Sequence, residues 1–321
     1  MAQIKKDEAT LRRFLERQAV DNYGALYQPA VRATPKEAPS SSRCWILRPE
    51  KLQGRGFHLL SNGELAAGLL ALYNPAVFDI HEQRMLSTGP RMHPLAGHPY
   101  AAGLRLPAFR GTIVVADELG HLKMHPKLYL ATGEGMWVPF PYTSDLLLFL
   151  LDKHSPYCIN WSVKDKRKHF TRRSAGLSSR PSRNETDPVV VARQKIEERY
   201  YEDAGIRTVQ MAAEDIHPEV VNNLRDCFGF HARTVQLAAG SRTKLIDFFA
   251  KHVGGSVPCI ELLIQAERDF GFPRLDIKTV LYTGIWRREL DVDLYEPILI
   301  DRPLRIASRD VLADYTPWFR R

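Results

Sequence analysis

An aspartate and a lysine stand at the two ends of an apolar hairpin pattern near the middle of the chain. Apolar runs at 146–151 and 157–161 flank a turn-like segment, 153–156, and this pattern predicts a β-hairpin. Asp145 precedes the first run and Lys164 follows the second. Because hairpin strands are antiparallel, the start of one lies beside the end of the other. We therefore expect a carboxylate and an ammonium at the same end of one hairpin.

These residue types suit the hydrolysis of a phosphodiester. That reaction uses a divalent cation to polarise the phosphate and to lower the pKa of an attacking water. Mg²⁺ binds one or two carboxylates together with waters and phosphate, and Mn²⁺ is expected to substitute for it. A nearby lysine can orient the water or neutralise charge that develops on the phosphate. Asp145, Ser162-Val163-Lys164 and Glu64 from a preceding helix would be the parts of a PD-(D/E)xK nuclease site.

Each of these residues also has a purely structural interpretation. Asp145 can accept backbone hydrogen bonds in a turn, and Lys164 can be a solvated strand end. Ser61-Asn62-Gly63-Glu64 fits the S-x-x-E capping box of a helix N-terminus. A glutamate cannot fully cap a helix and ligate a metal in one rotamer, so both interpretations of Glu64 stay open.

A strongly basic segment follows the hairpin at 164–183. Such a segment can be a solvated loop, or it can lie along a DNA backbone and give salt-dependent binding. The formal charge of +8 and the pI near 9.3 agree with a polyanionic partner without identifying one. The candidate DNA-binding residues are Lys166, Arg167, Lys168, Arg172 and Arg173.

The length of 321 residues favours two domains. The first, 1–216, reads as a mixed α/β domain with the hairpin at its centre, and 84–140 is interpreted as an insertion with one strand at 112–117. No apolar run approaches the ~20 residues that span a membrane, and the N-terminus lacks a signal-peptide pattern. We therefore expect a soluble, cytoplasmic protein that binds no membrane.

The second domain, 217–321, has a different pattern. Helical periodicity is predicted within 218–228, 241–253 and 256–270, and strand-like runs follow at 278–290 and 297–308. Three helices followed by a β-ribbon form the layout of a winged-helix module.

The segment "GRGFHLLSNGELAAGLLALYNPAVFDIHEQ", 54–83, resembles the N-terminal domain of TnsA, the endonuclease subunit of heteromeric cut-and-paste transposases. That family carries an HLLS-x-x-E-L-A segment, a short helix and a strand ending D-I-x-E-Q, and Glu64 stands in its acidic position. Ser144-Asp145 followed by leucines, the strand end Ser162-Val163-Lys164 and the helix at 196–201 resemble later family elements. The resemblance covers roughly 50–216 in patches.

The resemblance implies a restriction-endonuclease-like first domain that hydrolyses one DNA strand, at the 5′ ends, at transposon ends. Asp145 and Glu64 would hold Mg²⁺ with the main-chain carbonyl of Val163, and Lys164 would position the water or stabilise the transition state. A DDE-type transposase subunit would cut the 3′ ends. An AAA+ ATPase regulator would dock on this subunit, through the winged-helix-like second domain.

The sequence departs from the family pattern in two places. Ser162 replaces the usual Glu or Gln, and the 84–140 span is longer than the family leads us to expect.

Two other functions are compatible with the sequence. The chain could instead be a stand-alone nuclease of restriction or repair with the same chemistry. It could also be a non-catalytic winged-helix DNA-binding assembly protein whose nuclease domain has decayed.

Overall fold

A computed structural model of the protein describes residues 5–131, 135–172, 186–238 and 240–321. The chain divides into two compact units. The first comprises residues 1–68, 75–215 and 318–321, and the second comprises 69–74 and 216–317. Both helices and a mixed sheet are present, so the protein belongs to the mixed α/β class. No helix within the described ranges is long and apolar enough to cross a membrane.

The first unit is built around the predicted hairpin. Its elements in chain order are α1 (Glu8–Arg17), β1 (Trp45–Leu47), β2 (Phe57–Leu59), α2 (Asn62–Tyr73), β3 (Val77–Met85), α3 (Thr112–Glu118), β4 (Lys127–Leu130), β5 (Met136–Pro139), β6 (Thr143–Leu151), β7 (Pro156–Lys164), α4 (Pro188–Asp203) and β8 (Arg207–Ala212). The helix predicted after Ser61, the strand predicted at 76–83 and the hairpin are thereby confirmed.

The main sheet has the strand order β3-β6-β7-β8. Strands β3, β6 and β7 pair antiparallel, with Leu146 opposite Trp161, whereas β8 pairs parallel to β7, with Ala212 opposite Lys164. All five residues of β6 from Leu146 to Leu150 are fully buried. A strand that is buried on both faces reads as a continuous apolar run, which is why the sequence identified β6 so clearly.

Part of the 84–140 span belongs to the core and is not a separate appendage. Phe109 stacks on Tyr200 of α4 with ring centroids 4.2 Å apart. Leu86 and Leu95 from the same span pack into one cluster with Phe149 of β6. The span therefore covers one side of the central hairpin, and it also carries the small β4–β5 sheet.

The strand predicted at 112–117 is wrong, because these residues form helix α3. The β-branched residues of Thr-Ile-Val-Val favour a strand by propensity. In the structure Val115 and Ala116 instead pack against Ile196 of α4, and that contact requires a helical face. Tertiary packing has overridden the local preference.

The second unit is helical up to residue 286. It contains α5 (Pro218–Phe228), α6 (Ser241–His252), α7 (Cys259–Phe270), α8 (Arg274–Trp286) and α9 (Val311–Asp314), and α10 (Thr316–Phe319) starts in it. The three predicted helices are confirmed, but the strand predicted at 278–290 is wrong, since α8 occupies most of it. Helix α8 contacts α5, α6 and α7, and this central position explains its apolar, β-branched composition.

The strand predicted at 297–308 is also absent as a regular element within the described part of this unit. Only isolated antiparallel bridges join Val292 to Ile306 and Pro258 to Pro303. The N–H of Asp293 donates to the carbonyl of Arg305 over 2.9 Å, so a minimal ribbon remains. Prolines at 297 and 303 remove two donors and limit its length.

A buried ion pair fastens the loop before β2 to β3. Nη1 of Arg55 lies 2.8 Å from Oε1 of Glu82, and the side chains of both residues are at most 5% exposed. Oε1 of Glu82 also accepts the N–H of His58 over 3.0 Å, and Arg55 donates to the carbonyl of Ile80. The pair therefore holds the loop and β2 on the sheet edge.

We expect Arg55→Met to destabilise the protein by about 3–5 kcal/mol, because it leaves the Glu82 carboxylate buried without its counter-charge. The exposed Arg12–Glu8 pair is the matched control, and Arg12→Met should change the free energy of unfolding by less than about 1 kcal/mol. Urea unfolding measures both. Equal effects of the two substitutions would contradict this account.

Candidate active site

Asp145 and Lys164 meet at the end of the hairpin where β6 begins and β7 ends. Nζ of Lys164 lies 3.0 Å from Oδ2 of Asp145 and 2.7 Å from the main-chain oxygen of Val163. Oδ2 of Asp145 also accepts the N–H of Val163 over 2.7 Å. Only 3% of the Asp145 side chain and 9% of the Lys164 side chain are exposed. The predicted carboxylate and ammonium are therefore a largely buried pair, and not a solvated strand end.

Glu64 lies in the first turn of α2 and accepts two hydrogen bonds on one carboxylate oxygen. Oε2 lies 2.8 Å from the N–H of Leu60 and 3.1 Å from Nε2 of Gln83. The N–H of Glu64 donates to Oγ of Ser61 over 3.0 Å. The Ser61 half of the predicted capping box is thus present, but the glutamate binds Leu60 and not the N–H of Ser61.

Asp165 ties the start of α2 to the end of β7. Its Oδ1 accepts the N–H of Gly63 over 3.2 Å, which places a carboxylate at the positive end of the helix dipole. A Cβ on Gly63 would lie 2.8 Å from this oxygen, so a side chain there would displace the Asp165 carboxylate from its contact with α2. This close approach brings Glu64 to the end of the hairpin that carries Lys164.

Two buried glutamates near Asp145 have raised pKa values and therefore stay protonated to a higher pH than exposed glutamates do. Burial, and then the negative charge of Asp145, raise the pKa of Glu64 to about 8. The same two causes raise the pKa of Glu197 above its ordinary value. Carboxyl groups with raised pKa values in a charged cluster are typical of functional sites, although structural networks also produce them.

A polar layer joins β7 to α4 beside the Asp145–Lys164 pair. Nδ2 of Asn160 lies 3.0 Å from Oε1 of Glu197, and Oγ of Ser162 lies 3.1 Å from Oε1 of Gln194. Asn160, Ser162 and Lys164 alternate along β7 and so share one face of the strand. All of the hydrogen-bonded side chains in this layer are buried. A buried polar layer of this kind fixes the position of α4 on the sheet.

The hydroxyl of Ser162, which the resemblance to TnsA aligns with a Glu or Gln, donates to Oε1 of Gln194. The serine is fully buried. Its side chain therefore serves the contact with α4, and the oxygen that this strand offers toward Lys164 is the carbonyl of Val163.

The basic residues after β7 have different environments. Lys166 and Lys168 are exposed, whereas Arg167 forms an ion pair with Asp215 and its N–H donates to Oε1 of Glu214 over 2.7 Å. Arg172 is half-buried. Arg173 and the rest of the basic segment, up to residue 183, lie outside the described residues. Their contact with DNA stays a prediction.

The residues at this site suit a hard divalent cation. The Lys164 ammonium already lies between the Asp145 carboxylate and the Val163 carbonyl, where a positive charge is favourable. Glu64 can add a second carboxylate, and Mg²⁺ sites often contain no more than that. In the ranges that the structure describes, no group of three or more His, Cys, Asp or Glu side chains could hold a metal. A cation here would therefore depend on the main-chain oxygen and on water.

Sequence reasoning missed four residues that the structure brings into this cluster. A detectable signal existed for three of them, because Asn160 is a polar residue inside an apolar strand and Gln194 and Glu197 are spaced i, i+3 on a helix. Gln83 was visible only as the last residue of the D-I-x-E-Q motif. The additional residues are Gln83, Asn160, Gln194 and Glu197.

No protein-family model matches the chain, and no curated protein matches it significantly. The resemblance to TnsA therefore remains a prediction from the motifs.

The raised pKa of Glu64 predicts how stability depends on pH without a metal. The folded protein keeps the Glu64 proton up to about pH 8, whereas the unfolded chain releases it near the ordinary value of 4.5. The stabilisation is therefore complete below pH 4.5 and is lost as the pH rises through 8. We expect Glu64→Gln to flatten the decline between pH 6 and 8 by up to about 1.4 kcal/mol per pH unit.

Urea unfolding of the metal-free protein across this range measures the decline. Glu198→Gln, on the exposed face of α4, is the control and should leave the wild-type profile unchanged. Parallel profiles for wild type and Glu64→Gln would show that Glu64 ionises normally in the folded protein.

Proposed function

We propose that the protein is a Mg²⁺-dependent DNA endonuclease that cuts one strand at transposon ends during cut-and-paste transposition. The observation that carries the proposal is the buried Asp145–Lys164 pair, with the Val163 carbonyl on the same ammonium and the start of α2 tied to the same strand end. A surface ion pair needs no such burial, and a structural ion pair needs no second carboxylate with a raised pKa nearby.

Each residue has a definite task in this proposal. Asp145, Glu64 and the carbonyl of Val163 would hold the cation, which supplies polarisation of the phosphate and an acidic bound water. Lys164 would leave its contact with Asp145 and place its ammonium against the negative charge that grows on the phosphate oxygens. The hydrogen bond between Ser162 and Gln194 would hold β7 against α4, so that the Val163 carbonyl keeps its position.

The order of elements supports a restriction-endonuclease-like assignment of the first unit. Apart from α3, β4 and β5, which lie between β3 and β6, the chain order is a helix, three antiparallel strands, a second helix and a strand parallel to the third: α2, β3, β6, β7, α4 and β8. The candidate residues lie in the first turn of α2, near the start of β6 and at the end of β7, as the PD-(D/E)xK pattern requires.

The backbone pairings after α8 support a winged-helix-like assignment of the second unit. Helices α6, α7 and α8 are followed by a bridge between 292 and 306, and the chain between α6 and α7 pairs with 303. Helix α8 is buried along most of its length. That burial leaves little of the helix for a DNA groove and favours a protein partner, such as the AAA+ regulator that the resemblance implies.

The most direct test of the proposal is anomalous diffraction from crystals of the full chain soaked in Mn²⁺. We expect an anomalous peak within ligand distance of Asp145 and Glu64 in the wild type and none in Asp145→Asn, because a carboxamide lacks the charge that the cation requires. Asp152→Asn, in the turn at the other end of the hairpin, is the matched control and should retain the peak.

Nicking of supercoiled plasmid with Mn²⁺ tests the chemistry, with and without a DDE transposase. Lys164→Met should lower the rate by roughly a hundredfold or more, as expected when a group that stabilises the transition state is removed. Lys153→Met should have no effect on the rate.

The same assay separates the alternative functions. Cleavage without any partner would favour the stand-alone nuclease. No cation and no cleavage in either setting would favour the non-catalytic assembly protein, for which Ser162 is the best argument.

The exposed lysines after β7 should make DNA binding depend on salt. If each contacts a phosphate, Lys166→Ala and Lys168→Ala should each reduce the slope of log K against log salt by about 0.9. Arg167→Ala should change it less, because Asp215 already neutralises part of that charge. Fluorescence anisotropy with a labelled duplex measures the slope, and Lys153→Ala is the control. Identical slopes would remove this segment from the DNA interface.

A further inference from the structure

Gln83 adopts a left-handed backbone conformation inside strand β3, with φ of +48°. Its neighbours keep the ladder, since Glu82 pairs with Leu146 and Arg84 pairs with Ser144. Residues with a Cβ rarely adopt positive φ, and Gln83 is only 3% exposed. The conformation is therefore neither a turn nor a strand end.

Strong contacts on both sides of Gln83 hold it in this conformation. The side chain of Glu82 is fixed by Arg55, and that of Arg84 lies 2.6 Å from Oδ1 of Asp21. The carbonyl of Gln83 turns toward the N-terminal segment and accepts the N–H of Ala30 over 3.0 Å. An unfavourable backbone conformation persists when its surroundings determine it this strongly, and such positions cluster at functional sites.

The side chain of Gln83 reaches the candidate active site. Its Nε2 lies 3.1 Å from Oε2 of Glu64, the oxygen that also accepts the N–H of Leu60. Both donors therefore converge on one oxygen of the carboxylate. A carboxylate with one oxygen held by two donors has a fixed plane, and the direction of its other oxygen is fixed with it.

We propose that Gln83 is a positioning residue, whose amide fixes the carboxylate of Glu64 in the orientation that binds a divalent cation. The inference rests on the proposed metal-dependent function. The left-handed backbone serves this role, because it turns the side chain of a strand residue toward the first turn of α2. Groups that orient a metal ligand typically contribute about tenfold to a hundredfold in metal affinity.

A purely structural role makes a different prediction. If the amide merely satisfies a buried glutamate, its removal lowers stability and leaves the affinity for a cation unchanged. Metal affinity, measured at a temperature where every variant is folded, separates the two roles without depending on DNA cleavage.

The test compares Mn²⁺ affinity in the full-length wild type and Gln83→Met by electron paramagnetic resonance titration. Methionine keeps the approximate length and volume and removes the donor. We expect affinity to fall by about tenfold to a hundredfold. Gln83→Asn is the second variant, because asparagine tolerates positive φ and keeps an amide but is one methylene too short to reach Glu64. It should lose affinity similarly, even if the methionine variant does not fold.

Gln53→Met is the matched control. Gln53 also has a positive φ, of +55°, but it is exposed and lies away from Glu64, so its substitution should leave Mn²⁺ affinity unchanged. The double variant Glu64→Gln/Gln83→Met should bind Mn²⁺ no more weakly than Glu64→Gln alone, because the amide acts only through that carboxylate.

The outcomes distinguish this inference from the proposed function. If Glu64→Gln and Asp145→Asn weaken Mn²⁺ binding while both Gln83 variants bind as the wild type does, the positioning role is wrong and the metal site stands. If neither carboxylate substitution changes Mn²⁺ binding, the metal site itself is wrong, and the role of Gln83 falls with it.

Discussion

The first unit depends on keeping the charge of Asp145 inside the protein. A buried carboxylate is strongly unfavourable unless donors and a counter-charge surround it, and here Val163 and Lys164 supply both. This requirement fixes the register of β6 against β7 at their open end. Burial and the negative charge of Asp145 outweigh the attraction of Lys164 for Glu64, and the pKa of Glu64 is raised as a result. Stability and the proposed binding of a cation therefore depend on the same few atoms.

The sequence predicted those elements whose local pattern and tertiary role agree. Strand β6 is apolar from Leu146 to Leu151 because most of this stretch is buried on both faces, and the hairpin turn after it is polar, so both could be read directly. Segments 112–117 and 278–290 were misread for one physical reason. Their Val, Ile and Thr residues favour strands, but contacts with Ile196 in one case and with α5, α6 and α7 in the other select a helix.

Only the residues of the candidate site that hairpin pairing or a local motif identifies could be predicted from the sequence. Asp145 and Lys164 follow from antiparallel pairing, and Glu64 follows from a motif. The contacts of Gln194 and Glu197 with β7 depend on how α4 lies across that strand, which the i, i+3 spacing of the two residues does not predict. Gln83 depends on a single positive φ in a strand, which the sequence gives no reason to expect. Contacts between distant segments thus carry the part of the site that sequence reasoning could not supply.

The N-terminal segment that covers edge strand β3 has a consequence for biosynthesis. Gln18, Tyr27 and Ala30 satisfy backbone groups of β3 that would otherwise be exposed, as in the bond from the N–H of Met85 to Oε1 of Gln18, 67 positions apart. The covering segment leaves the ribosome long before its partner strand does, and β3 in turn needs β6. The covering segment therefore stays unpaired until β3 is in place on β6, and chaperones would meet it in that state.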